Sequence, residues 1–376
     1  MPNVPRVFLT VNDYRRFADT NLLKSARDYY ESGAEEEKTL RRNEAAFNDF
    51  LVRPRCLRSV QNVDTRTEWN GTSVPYPIGI APTAFQRMAT SDGELSTVRA
   101  AAATSSIMIC SSWSTTSIED IGKEAKQCGA TIWFQLYVYR DRSVTEALIN
   151  RAEKSGAKAL VLTVDTPVLG RRIADTINGF TLPNHLKFAN FDTGASQANM
   201  PKGESGKSGF MEYVCSQIDP SLDWTTLRWI KTKTSLPIIV KGVMRGDDAE
   251  LALNAKVDGI IVSNHGGRQM DGTISTIEAL PNVLAAVGGK IPVYLDGGIR
   301  TGRDIFKAVG IGAAGIFVGR PILWGLATDG TRGATGVLDV LQSEFKHCMQ
   351  LSGFRSIKEL QADKGTIVHA SKIAKI

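Results

Sequence analysis

Eight short apolar runs, rich in isoleucine and valine and separated by helix-length stretches, limit this chain to very few folds. They occupy residues 76–81, 107–111, 131–137, 159–164, 237–242, 259–263, 292–296 and 315–319. Most lack the polar–apolar alternation of half-exposed strands, as parallel strands buried on both faces do. Between them lie amphipathic segments such as 141–155, 247–256, 275–287 and 302–310. Strand and helix repeated eight times predict an α/β fold, the closed (β/α)8 TIM barrel, which needs roughly 250 residues or more. A doubly wound open sheet is the alternative, but no Gly-x-Gly-x-x-Gly follows the first run to support it.

The barrel is expected over 76–376, with residues 1–75 as an N-terminal helical extension packed on it. Segments 12–18 and 22–32 have helical patterns, and Gly33 stands where a helix would stop. The longest irregular stretch separates the fourth and fifth runs, at about 184–212. Its polar, glycine-rich part, 195–209, is read either as a mobile lid or as a passive surface insertion.

Composition narrows the partners. The net charge of +6 is spread along the chain, without a basic stripe interleaved with aromatics. Nucleic acid is therefore not an expected partner, whereas a pocket for small anions suits the balance. The five cysteines, at 56, 110, 128, 215 and 348, show neither close pairing nor ligand spacing, which points to a reducing compartment. No His, Cys and carboxylate cluster has metal-ligand spacing, so no metal is expected. No apolar run reaches the ~18 residues of a membrane span, and the first residues lack a signal-peptide pattern. The final Ala-Lys-Ile resembles the peroxisomal address of the Ser-Lys-Leu type, with a frayed basic tail as the alternative.

Polar residues concentrate at the ends of the runs: Pro82 and Thr83, Ser111 to Trp113, Gln135 and Tyr137, Thr163 and Asp165, Lys241, Ser263 and His265, Asp296 with Arg300, Gly319 and Arg320. In a barrel these positions share the C-terminal rim, where such folds carry their chemistry. His265 and Arg268 flank Gly266 and Gly267, so a neutral imidazole and a fixed cation can face one space. That pair suits proton abstraction from a small anionic substrate. Segments 296–300 and 318–321 join glycines to Arg300 and Arg320 after the seventh and eighth runs, the usual phosphate site of such barrels. No Gly-x-Ser-x-Gly elbow supports a Ser-His-Asp reading.

These motifs, with residues 29–34, 81–84, 134–137, 163–167 and 240–242, resemble the FMN-dependent α-hydroxy acid oxidases and dehydrogenases over nearly the whole chain. The oxidase branch, which holds glycolate oxidase and animal hydroxyacid oxidase, is the nearer one. The resemblance implies that His265 takes a proton from the substrate and that Asp165 stabilises its imidazolium. Arg172, Arg268 and Tyr29 would hold the substrate carboxylate, Tyr137 the substrate hydroxyl, and Trp113 the pocket wall. Pro82, Thr83, Ala84, Ser111, Gln135 and Thr163 would line the flavin ring, with Lys241 at its N1–O2 edge and Ser263 among the cofactor contacts. Asp296 would bind the ribityl chain, and Gly298, Arg300, Gly319 and Arg320 the phosphate. Phe85, where relatives often carry methionine, and Val168 depart from the pattern and leave pocket shape open. The implied activity is FMN-dependent oxidation of a short L-2-hydroxy acid, glycolate first and lactate or longer acids next, with O2 reduced to H2O2. An electron-transferring dehydrogenase and a non-catalytic FMN-binding barrel are the alternatives. The resemblance further implies a homotetramer or homo-octamer, in the peroxisome or otherwise the cytoplasm.

Overall fold

A computed structural model describes residues 7–191 and 216–375. Each of the eight runs forms one strand: Ile78–Ile80, Ile107–Cys110, Thr131–Leu136, Leu160–Thr163, Ile238–Val243, Gly259–Val262, Val293–Asp296 and Gly315–Val318. They pair in parallel and in chain order, and the eighth closes on the first, with Phe317 beside Gly79 and Val318 beside Ile80. A helix follows each strand on the outside, from Glu94–Thr104 after the first to Arg320–Leu351 after the eighth. Ser117, Asp141, Asp223, Ser275 and Thr301 cap five of these helices, their side chains accepting from first-turn N–H groups.

Strand alternation converts this frame into a site. Every second side chain points into the barrel. Ile109, Trp133, Val161, Ile239, Ile261, Tyr294 and Phe317 form that inner apolar layer. Two residues further along the same faces stand Ser111, Gln135, Thr163, Lys241, Ser263, Asp296 and Gly319. The apolar core therefore gives way to a polar layer at the C-terminal rim.

The opposite end is plugged by Trp69, fully buried on a hairpin of Thr67–Trp69 and Thr72–Val74. Its ring lies 5.1 Å from Tyr294 and 5.2 Å from Phe317, and its indole N–H donates to the Ala314 carbonyl at 3.0 Å. Gly315 and Gly79 make the room: a Cβ at Gly315 would stand 1.9 Å from the Trp69 ring, and one at Gly79 2.6 Å from Phe317.

The segment before the barrel contains helices Val11–Asn21, Lys24–Glu31 and Lys38–Ala45. It is not helical throughout. Besides the Trp69 hairpin it holds the strand Phe50–Val52, which pairs antiparallel with Ile367–His369 near the end of the chain. Strands of three residues are too short to leave a readable periodicity. Gly33 is also not a helix stop, because Lys24–Glu31 ends on extended Ser32. Glycine is needed at 33 for contact, since a Cβ there would come within 3.0 Å of the Gly267 carbonyl and of Leu40.

The irregular stretch at about 184–212 begins packed rather than loose. Phe188 and Asn190 are buried, and the Asn190 amide bonds Ile118 N, Ser112 O and Ser114 Oγ. Its continuation from 192, and with it the lid reading, lies outside the described residues. Among the described residues no helix is long and apolar enough to cross a membrane.

Candidate active site

The rim opens into a cavity of about 1010 Å³, counting its mouth. Its lining mixes apolar walls with a few convergent polar and charged groups, as small-molecule sites do. Every residue to which the resemblance gives a catalytic or binding role lines it except Asp165 and Ser263, which stand behind the wall.

His265 sits in a tight turn, His265–Gly267, just past the sixth strand. It has a left-handed backbone, φ +60°, as do Gly266 and Gly267. For a non-glycine residue this stores ~1–3 kcal/mol, so neighbouring contacts must hold it. The Asn264 side chain accepts from Gly267 N and exchanges two amide hydrogen bonds, 2.7 and 2.8 Å, with buried Asn43. Asn43 lies inside helix Lys38–Ala45, so the N-terminal extension fixes the turn that carries the imidazole.

Asp165 Oδ1 lies 2.8 Å from His265 Nδ1 and accepts from Thr166 Oγ1 at 2.9 Å. A buried carboxylate at Nδ1 selects the tautomer protonated there and leaves the Nε2 lone pair for the cavity. Gly242, at φ +120°, permits this approach, because a Cβ at that position would stand 2.7 Å from the Asp165 Cβ.

The charges have clear directions. Burial lowers the His265 pKa below 6.5, Lys241 and Arg172 lower it further, and Asp165 opposes them. Burial alone would raise Asp165, but the charges of His265 and Lys241 and two hydrogen bonds keep it well below the usual carboxylate range. The Tyr137 hydroxyl is pushed upward by burial and stays protonated. Burial, with Arg172 beside it, lowers Arg268 to about 9, so its guanidinium remains cationic near neutrality.

Arg268 donates through Nη1 to the carbonyls of Tyr29 (2.7 Å) and Ser32 (2.9 Å), and its guanidinium lies 4.9 Å over the Tyr29 ring. Arg172 is buried, 3.9 Å from Asp175, with its Nε unpartnered. Across the cavity, Lys241 Nζ bonds Ser263 Oγ at 2.9 Å and lies 3.4 Å from Asp296 Oδ2. The other Asp296 oxygen is buried without a partner. Gln135 bridges Ser112 and Thr163.

Three residues have duties that sequence reasoning did not give them. Ser263 does not line the cavity: its Oγ receives Lys241 and the His265 N–H, because it continues the inward face of Ile261. Arg320 also braces the extension, donating to the carbonyls of Tyr30, Gly266 and Ser32. Arg300 pairs with Glu44 and lies over Trp324. Asn43 and Glu44 are further supports that carried no sequence signal, and Tyr30, known from sequence only as part of the 29–34 motif, donates its hydroxyl to Phe85 O at 2.7 Å. Among the described residues no His, Cys and carboxylate group could hold a metal ion.

Residues 18–366 match the family model described as FMN-dependent dehydrogenase. The chain is 47% identical over 372 residues to 2-hydroxyacid oxidase 1 of Mus musculus, covering 99% of each. It is 49% identical over 350 residues to glycolate oxidase of Spinacia oleracea, covering 93% of each. Among solved structures it is similar to mandelate oxidase with (S)-4-hydroxymandelic acid, with a TM-score of 0.88 and 36% identity over 94% of this chain and 98% of that one.

Proposed function

Because this chain belongs to the FMN-dependent dehydrogenase family, we propose that its cavity oxidises a short L-2-hydroxy acid, glycolate first, to the 2-oxo acid with reduction of O2 to H2O2. The observation that carries this reading is the His265–Asp165 hydrogen bond, which holds an imidazole in the wall of the same cavity as Arg172 and Arg268.

FMN fits the residues present. The unpartnered Asp296 oxygen suits the hydroxyl donors of a ribityl chain. Arg300, Arg320, Gly298 and the start of helix Arg320–Leu351 at Gly319 supply cations and backbone N–H groups for a phosphate. Pro82, Thr83, Ala84, Ser111, Gln135 and Thr163 would hold the ring, and the Lys241 cation would sit at its N1–O2 edge. Bound there, FMN supplies the two-electron acceptor that hands electrons on to oxygen.

The chain's own residues do the rest. Arg172, Arg268 and Tyr29 bind the substrate carboxylate and orient the α-carbon. His265 Nε2 takes a proton as the substrate is oxidised, and the Asp165 carboxylate stabilises the imidazolium that results. The protonated Tyr137 hydroxyl donates to the substrate oxygen, and Trp113 closes the wall beside it. Assembly as a homotetramer or homo-octamer and peroxisomal import through the Ala-Lys-Ile tail belong to the same reading, supported by the family resemblance and by the tail tripeptide.

Oxygen uptake by the FMN-loaded protein with glycolate, L-lactate and 2-hydroxyoctanoate tests it. Glycolate is expected to be the best substrate, releasing one peroxide per oxygen consumed. Slow oxygen uptake despite rapid anaerobic loss of flavin colour would instead make the protein a dehydrogenase. The pH profile follows from the imidazole. Only the neutral form accepts a proton, and the cavity disfavours the charged form, so kcat/KM should hold through neutrality and fall toward acid with a midpoint below 6.5. A midpoint above 6.5 would mean that the Asp165 charge outweighs burial, whereas absence of any acid limb would contradict the assignment of His265 as the base.

A further inference from the structure

We infer that Tyr139 is a specificity-determining positioning residue, which fixes the Trp113 indole as the wall that limits substrate length. The inference rests on the reading of the cavity as a 2-hydroxy acid site. Trp113 lines the cavity and is 4% exposed, so its indole N–H needs an acceptor. The Tyr139 hydroxyl lies 3.2 Å from Trp113 Nε1 and accepts that N–H.

Tyr139 is placed for this by the strand it follows. Past Thr131–Leu136 the chain continues to Tyr139, two residues beyond Tyr137, the spacing that returns to the same face of an extended chain. Tyr137 reaches the cavity and packs on Trp113 with ring centroids 5.1 Å apart, while Tyr139 does not line the cavity. Tyr139 is itself held. Its backbone N–H donates to Thr145 Oγ1 at 3.0 Å, it bridges Ile218, and its ring meets Phe191 edge-on at 5.4 Å. Trp113 is fixed elsewhere by its N–H to Ser111 Oγ, its carbonyl to Phe85 N, and Phe188 against its ring. The hydroxyl of Tyr139 thus holds the polar edge of an indole otherwise held through its backbone and by ring packing. Tyrosine is required at 139 rather than phenylalanine because packing alone leaves that edge free to tilt away from the cavity.

The test is Tyr139→Phe in the FMN-loaded full chain, assayed with glycolate and 2-hydroxyoctanoate, alongside Trp113→Phe and the double variant. Losing one hydrogen bond should raise the ratio of kcat/KM for 2-hydroxyoctanoate over glycolate about 3–10-fold. The change should come mainly through the KM of the longer acid, with the acid limb of the pH profile unmoved. In the Trp113→Phe background the same substitution should leave the ratio unchanged, since the effect passes through the indole. Equal losses on both substrates, or a ratio change that persists without the indole, would overturn the inference. Failure of the unsubstituted protein to oxidise any 2-hydroxy acid would overturn the functional reading instead, so the two failures are distinguishable.

Discussion

His265→Asn is expected to lower kcat/KM about 10²–10⁴-fold, the contribution of a positioned general base, with folding and flavin absorbance retained. Asparagine suits the test because it tolerates the left-handed backbone that His265 adopts, whereas most side chains would add strain there. It also has no nitrogen lone pair able to take the substrate proton. The turn is held independently by Asn264 and Asn43, so its geometry should survive the change. Steady-state kinetics with glycolate check it. A loss of less than tenfold would mean that another group removes the proton.

Arg268→Ala is expected to weaken transition-state binding by ~2–5 kcal/mol, as truncating one partner of a buried charge pair does. In kcat/KM that is roughly 30-fold to several thousand-fold. Part of the loss should appear as stability, because Arg268 also ties the carbonyls of Tyr29 and Ser32 to the rim. Arg172→Gln separates the two effects. Among the described residues Arg172 lies near one carboxylate, Asp175, at a distance too long for a hydrogen bond. It should therefore raise KM with little change in melting temperature. If both variants left KM and turnover untouched, the carboxylate clamp would have to lie elsewhere.

The barrel was legible because its strands are buried on both faces, so each of the eight runs reads as continuous apolar sequence even where only three or four residues pair. The candidate site was legible because the inward face of the second to seventh strands changes from apolar to polar within two residues, as from Ile239 to Lys241 and from Tyr294 to Asp296. What supports the site was not. Asn43 looks like any polar helix residue until the fold brings it to Asn264, 221 positions away. Glu44 likewise meets Arg300 only through the closed barrel. The Trp69 plug rides on strands too short to show a period, and its partners Gly79 and Gly315 read as ordinary strand glycines. Gly33 misled for a related reason. A glycine after a helix resembles a stop signal, but here it makes room for a carbonyl from a turn more than two hundred residues later.

The most direct test of the central claim is rapid anaerobic mixing of the FMN-loaded protein with glycolate, following the flavin's visible absorbance in the native chain and in His265→Asn. Rapid loss of absorbance is expected in the native protein, and a rate ~10²–10⁴-fold lower in the variant. Equal rates in the two proteins, or no loss in the native one, would contradict the claim.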